Sequence, residues 1–342
     1  MNVEAPPRHT QHGQQSHEPP AAARAAGIVV ALTLAIAILA VAFALPAVES
    51  APRDVPIGVA GPAAVTTRIS DQIGQAAPGA FAVTMYSGED ALRRAILDRE
   101  AYGGIAVGPQ GPTLLTATGA SPAIATLLGQ LGTGMAQKTG MPLRTEDLAP
   151  LTTDDPRGAG LSASALPITL AGIIPAIALL LVLTREVWTR FVAAIVFAPV
   201  AGVSIAALLW FAFGSIDQNF WGVAGALSLG IAAALLLMLG LGSLFGKVGL
   251  GIGAALAVLV GNPLSGLASA PEMLPSGWGA FGQLLPQGAT ATLLRSTAYF
   301  SGAGSTTAIV VLTCWAAVGA TLVIIGALRQ TAAAPKAPGS LT

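Results

Sequence analysis

The sequence predicts a polytopic α-helical membrane protein of six spans, with an extracytoplasmic α/β domain between spans one and two. Three observations predict it. Only 9% of the 342 residues are charged and 54% are hydrophobic, whereas a soluble globular chain carries about 25% charged residues; the mean hydropathy is +0.72. Apolar runs long enough to cross a bilayer recur along the chain. Between the first two of them, residues 51–160 hold half of the lysines and arginines and most of the acidic residues.

Several function classes are disfavoured by composition. The formal net charge is zero and no basic stripe is present, so no nucleic-acid partner is expected. Cys314 is the single cysteine, which rules out an intramolecular disulfide and a cysteine-based metal site. Arginine heavily outnumbers lysine, and alanine and glycine are abundant, a usage that fits a GC-rich bacterial genome.

Residues 1–25 are expected to form a disordered cytoplasmic tail, because a Pro, Gln and His-rich stretch buries no core. Its histidines, His9, His12 and His17, are the only ones in the protein and read as part of that solvated tail. Gly27 to Leu45 is an unbroken apolar run, placed in a first span over 26–48. It is longer than the ~7–15-residue core of a cleaved signal peptide, so it reads as an uncleaved anchor.

The α/β domain is assigned to 49–164. Val55–Ala60 and Phe81–Tyr86 read as strands. Ala64 to Ala77 forms a helix with Val65, Ile69 and Ile73 on one face. Ser87 offers an N-cap with Asp90 three residues on, and Leu92, Ala95, Ile96 and Arg99 follow at helical spacing. Ile105–Val107 and Thr113–Thr118 read as two further strands joined by a Gly-Pro-Gln-Gly-Pro turn. Ser121-Pro122 opens a helix running to about Gln137. The order is βαβαββα, with 154–158 as the linker back to the membrane.

Residues 165–328 are assigned to a bundle of spans two to six: Leu166–Leu183 with Pro175 inside, Phe191–Phe213 with Pro199 inside, Trp221–Phe245, Val248 to about Gly266, and Thr306–Leu328. Residues 329–342 read as a second disordered cytoplasmic tail. Arg185, Arg190, Lys247, Arg329 and Lys336 flank the spans on one side, and Gly214–Asn219 on the other side has no basic residue. Positive residues mark the cytoplasm. The expectation is a multi-pass protein of a bacterial plasma membrane with both termini cytoplasmic and the lipid bilayer as its first partner.

The stretch 262–300 is apolar yet broken by Pro263, Pro271, Pro275 and Pro286. Backbone of this kind at membrane depth needs protein or a water-filled cavity beside it. It is expected to be a re-entrant or interfacial segment on the outer face, with Asn262, Pro263, Pro275, Trp278, Phe281, Pro286 and Arg295 as a candidate outer gate. Trp278, Phe281 and Leu285 are placed on one helical face.

The chemistry of the sequence is mostly negative. The predicted span cores contain no ionisable residue, which disfavours a proton relay of the common kind. Gly246-Lys247 lacks the rest of a phosphate-binding loop, and the zinc-protease helix motif is absent. With all histidines in the tail, no Ser-His-Asp site forms in the outer domain. Glu89, Asp90, Arg93 and Arg94 read as solvated helix positions with i,i+4 pairing. No enzyme activity, no cofactor and no metal are expected. Gly242, Gly246, Gly249 and Gly253 give two small-xxx-small spacings that suit close helix packing, internally or in a homodimer.

These residues resemble ABC-2-type permeases. The likeness lies in Pro271-Glu272-Met273-Leu274-Pro275, then Gln283-Leu284-Leu285-Pro286, then Leu293-Leu294-Arg295, ahead of the last span. The outer domain, with Ser87-Gly88-Glu89-Asp90-Ala91 and Tyr102-Gly103-Gly104-Ile105, is similar to that of the phage-infection-protein (YhgE-like) branch. The resemblance covers most of Gly27 to Leu328. It implies a transmembrane permease-like subunit exporting an amphipathic or lipid-like substrate, with energy from a separate ATPase. Arg185, Glu186 and Arg190 would then form a cytoplasmic coupling loop. The chain departs from the family in its polar, proline-rich N-terminal tail and its minimal cytoplasmic connections. The alternative is a non-transporting cell-envelope protein whose outer domain binds a partner or cell-wall component.

Overall fold

A computed structural model describes residues 20–140 and 142–333. The three histidines and most of both predicted tails lie outside the described residues. The chain separates into two compact units, residues up to Val41 and residues from Ala42 onward. The first unit consists of the helix α1 (Ala21–Val48) as far as Val41. The helix begins inside the segment expected to be disordered, because Ala21, Ala22, Ala23 and Arg24 are strong helix formers.

In the second unit, a five-stranded sheet runs in the order β2-β1-β3-β4-β5. Its strands are β1 (Val55–Ala60), β2 (Phe81–Tyr86), β3 (Gly103–Gly108), β4 (Gly111–Thr116) and β5 (Arg144–Asp147). Pairing is parallel except between β3 and β4, which form a hairpin. Interleaved are α2 (Ala63–Ala76), α3 (Glu89–Leu97) and α4 (Pro122–Thr139). The alternation of β1 sends Val55, Ile57 and Val59 into a core with Ile69, Ile73, Ile124 and Leu128. Ala60 faces the opposite layer with Leu92 and Ile96. Both faces of the strand are thus buried, as helix-covered parallel sheets require.

Two expectations for this domain are corrected. Ser87 does not cap α3; Gly88, in extended conformation, is the N-cap and no side-chain cap forms. The strand β5 was not expected, since Arg-Thr-Glu-Asp carries no apolar residue; it is an edge strand held by the β4 ladder. Ser121 does cap α4, its Oγ accepting from the Ile124 amide at 3.4 Å. Glu89 and Arg93 pair as expected, and Arg93 also grips Glu146 with two nitrogens. That grip holds the Glu146 carboxyl below its usual range.

A short helix α5 (Ala159–Ala163) leads into α6 (Ala165–Val182), α7 (Val187–Ala207), α8 (Phe220–Leu256), α9 (Trp278–Gln283), α10 (Pro286–Tyr299) and α11 (Thr306–Ala333). Single π-helical turns extend α7 over Leu208–Ala212 and α8 over Ala257–Gly261. Among the described residues, five helical stretches are long and apolar enough to cross a membrane. This makes the chain a multi-pass helical membrane protein, with five such stretches where six spans were expected.

The difference arises at Gly246. The expected fourth and fifth spans belong to one stretch, Phe220–Gly261, but Gly246 leaves helical space at φ 64°, ψ −147°. The chain folds back there: a Cβ placed on Gly253 would touch Leu241 and Met238, and one on Gly249 would lie 2.5 Å from the Leu241 carbonyl. A straight helix would hold residues 241 and 253 about 18 Å apart. The glycine spacings therefore serve an internal hairpin, with Gly242 against Leu180. The second arm, from Lys247 to Gly261, is about 22 Å long, short of the ~30 Å hydrocarbon thickness.

The first arm of α8 is the bundle's centre. Leu227, Ile231, Leu235 and Leu239 are fully buried, with α6 and α7 on one side and α10 and α11 on others. Helix α10 is buried along most of its length. Its Thr290 lies against Gly230, about 15 Å along α8 from Phe220.

Candidate functional site

A cavity of about 490 Å³ lies where the α/β domain meets the broken segment after α8. The sheet domain contributes Arg53, Arg99 and Tyr102; the broken segment contributes Glu272 and Gln283; α10 contributes Thr292. Pro271, Leu274, Pro275, Ala280 and Ala308 supply apolar wall.

The wall is built by local backbone necessity. Residues 51–53 run extended alongside 272–273, with the Ala51 amide donating to Met273 O and the Arg53 amide to Glu272 O, each at 3.0 Å. The Arg53 guanidinium then donates to the carbonyls of Leu274 at 2.9 Å and Glu49 at 2.9 Å. It thereby satisfies backbone groups that no ladder reaches. Tyr102, just before β3, donates its hydroxyl to Glu272 Oε2 at 2.6 Å. Burial first, and the Glu272 carboxylate second, push this phenol far above its usual range, so it stays a neutral donor.

Arg99 follows α3 in the left-handed region, φ 63°. That turn swings its side chain out of the domain. Nη1 donates to Ser296 Oγ at 2.6 Å and Thr292 O at 3.1 Å, and the guanidinium sits 5.3 Å from the centre of the Phe300 ring, a cation–π distance. Burial lowers its pKa below the usual arginine range. On the far wall, Thr292 Oγ1 donates to Gln283 Oε1 at 2.5 Å.

The predicted gate residues fall in several places. Pro275 lines the cavity. Trp278 and Phe281 are exposed on α9, where Leu284 shares their face in place of Leu285. Asn262 is buried at the end of the second α8 arm, and Pro263 is half-buried beside it. Pro286 is the buried first residue of α10. Arg295 is buried, donating to Gly266 O at 2.7 Å and Leu267 O at 2.6 Å, so it braces the broken backbone. The predicted coupling loop also divides. Arg185 and Glu186 are exposed in the turn between α6 and α7, but Arg190 is inside α7 and 3% exposed. Helix α7 starts at Val187, ahead of the expected Phe191, so a span does hold an ionisable residue.

Sequence reasoning gave no site role to Arg53 or Asp155, met Tyr102 only within the Tyr102-Gly103-Gly104-Ile105 likeness, and read Arg99 as a helix-face residue. Asp155 is a tie between linker and bundle. Its carboxylate accepts from Ser215 Oγ at 2.7 Å, Ala159 N at 2.8 Å and Gly160 N at 2.9 Å. Burial alone would raise its pKa, but these hydrogen bonds outweigh that and hold it below the usual value.

Chemically, the cavity is lined by guanidinium, phenol, carboxylate and amide groups together with apolar surface. Fold and site define a multi-pass helical membrane protein with an α/β domain seated on the broken end of its bundle. No family model, no curated protein and no solved structure matches the chain.

Proposed function

We propose that this protein is a permease-like subunit that moves an amphipathic or lipid-like molecule across or out of a bacterial plasma membrane, powered by a separate ATPase. The observation that carries this reading is the cavity shared by the α/β domain and the broken segment. A polar headgroup would be met by the Arg99, Tyr102 and Glu272 groups and an acyl or other apolar part by Pro271, Leu274 and Ala280. In this reading the second arm of the hairpin at Gly246, continued by the residues after it, completes one of six crossings, both termini are cytoplasmic, and 262–300 is a re-entrant segment. The burial of that segment's irregular backbone inside protein meets the requirement that lipid imposes on unpaired peptide groups.

A second reading is favoured by the turn between α6 and α7, which is only Leu183–Glu186. So short a connection leaves an ATPase little to grip, and suits an envelope protein whose outer domain binds a partner. One variant separates the two. Ala280 is exposed and lines the cavity, so Ala280→Trp fills it without entering the core. Substrate efflux from cells or vesicles is expected to fall at least tenfold with unchanged protein level, while Ala280→Ser stays near wild type. Unchanged efflux, or a phenotype that survives deletion of every candidate ATPase, refutes the permease reading.

A further inference from the structure

Arg190 is the least explained ionisable group in the bundle. Its side chain is 3% exposed, and Nε and Nη2 are fully buried with no hydrogen-bond partner among the described residues. It lies on the packed face of α7 between Val187 and Ala194, whose neighbours include Leu239, Val323 and Ala327. A guanidinium in such surroundings requires a counter-group.

The surroundings state the sign and the level of that group. Arg190 is in the first turn of α7, a helix of 21 residues. The amides of Val187, Trp188 and Thr189, ahead of it, have no intrahelical acceptor. Glu186 at the N-cap makes no side-chain cap, and the first turn holds no acidic residue. No side chain therefore bonds the free amides at the positive end of the helix dipole, beside a buried cation, an arrangement that attracts phosphate. The contacts Leu180–Gly242 and Ser243–Gly326 set the ends of α6, α8's first arm and α11 at one level. Arg185, Lys247 and Arg329 are exposed at that end. Trp188, 58% exposed and edge-on to Phe191 at 6.4 Å, marks a headgroup level, where amphipathic rings settle.

We infer that Arg190 and the N-terminal turn of α7 bind a phosphate group, supplied by an anionic lipid of the leaflet at the basic end of the bundle. The planar guanidinium fork suits two phosphate oxygens, and basic pockets between membrane helices on this kind of face take such headgroups. The inference is independent of the transport reading.

The test uses the full chain purified in neutral detergent and its melting temperature. Phosphatidylglycerol is expected to raise the wild-type value by several degrees, and diacylglycerol, which lacks the phosphate, is not. Arg190→Met keeps the volume and removes the unpaired charge. It is expected to be at least as stable as wild type without lipid and to show no phosphatidylglycerol shift. Arg190→Lys, which keeps the charge but loses the fork, is expected to retain less than half of the shift. Arg185→Gln, at an exposed position, is expected to retain all of it. An equal shift from inorganic phosphate alone in wild type, lost in Arg190→Met, keeps the phosphate site but assigns it to a soluble anion. Equal shifts in wild type, Arg190→Met and Arg190→Lys, or no shift in wild type with any phosphate, overturn the inference.

Discussion

Asp155 illustrates how much a single carboxylate fixes at the junction of domain and bundle. Its two oxygens meet the hydroxyl of Ser215 and the first amides of α5, while Thr152 Oγ1 donates to Gly214 O at 2.5 Å. Linker, α5 and the turn before α8 are thus closed by one charge. Hydrogen bonds to an ionised acceptor contribute about 1.5–3 kcal/mol. Asp155→Asn places an amide NH₂ where an acceptor is needed, and is expected to cost about 1–3 kcal/mol of stability. The folded carboxyl titrates below its usual 3.8. Its contribution is therefore complete above pH 3.8 and is lost as pH falls through the lowered folded value. Thermal unfolding in detergent at pH 7 is expected to separate the two proteins, and the gap is expected to narrow only below about pH 3.8. A gap that closes at neutral pH removes the charge from the explanation.

Among the elements, α8 depends on one backbone conformation. Gly246 at φ 64°, ψ −147° occupies a region that is essentially closed to residues with a Cβ. A Cβ there meets nothing within 4 Å, so the cost of Gly246→Ala is torsional, about 1–3 kcal/mol. Gly251 is helical and equally open, and Gly251→Ala is expected to stabilise by up to ~1 kcal/mol through helix propensity. Opposite shifts in melting temperature from these two glycine-to-alanine changes are the measurement; shifts of the same sign contradict the hinge. The elements also differ in how far the sequence disclosed them. Val55–Ala60 coincides with the observed strand because a strand buried on both faces is a continuous apolar run bounded by turn residues, and Phe81–Tyr86, a half-exposed edge strand, because its aromatic and β-branched residues favour an extended chain. Arg144–Asp147 has no such signature, since an edge strand with charged side chains is defined by its neighbour's hydrogen bonds. The fold-back at Gly246 was legible as a turn at Lys247, yet its second arm is shorter than a full span.

For the molecule as a whole, the sequence disclosed a membrane bundle, an inserted α/β domain and the broken segment, but not the cavity where they meet. Pro275 was within reach because prolines announce irregular backbone. Tyr102 and Arg99 were not, because their partners Glu272, Thr292 and Ser296 are far away in sequence, and a left-handed arginine has no local signal. The same long-range contacts hold the α/β domain against the broken segment and α10, which makes topology testable by labelling. A straight Phe220–Gly261 helix would be about 63 Å long, twice the ~30 Å hydrocarbon core; folded at Gly246, its second arm runs back alongside the first. Cysteines replacing Arg185 and Lys247, in a Cys314→Ser background, are then expected to react with a membrane-impermeant reagent only from the cytoplasmic side. Cysteines replacing Asp217 and Ala280 are expected to react only from the outside. Labelling of Lys247→Cys from the same side as Asp217→Cys contradicts the hairpin crossing and, with it, the placement of the α/β domain and 262–300 on one face.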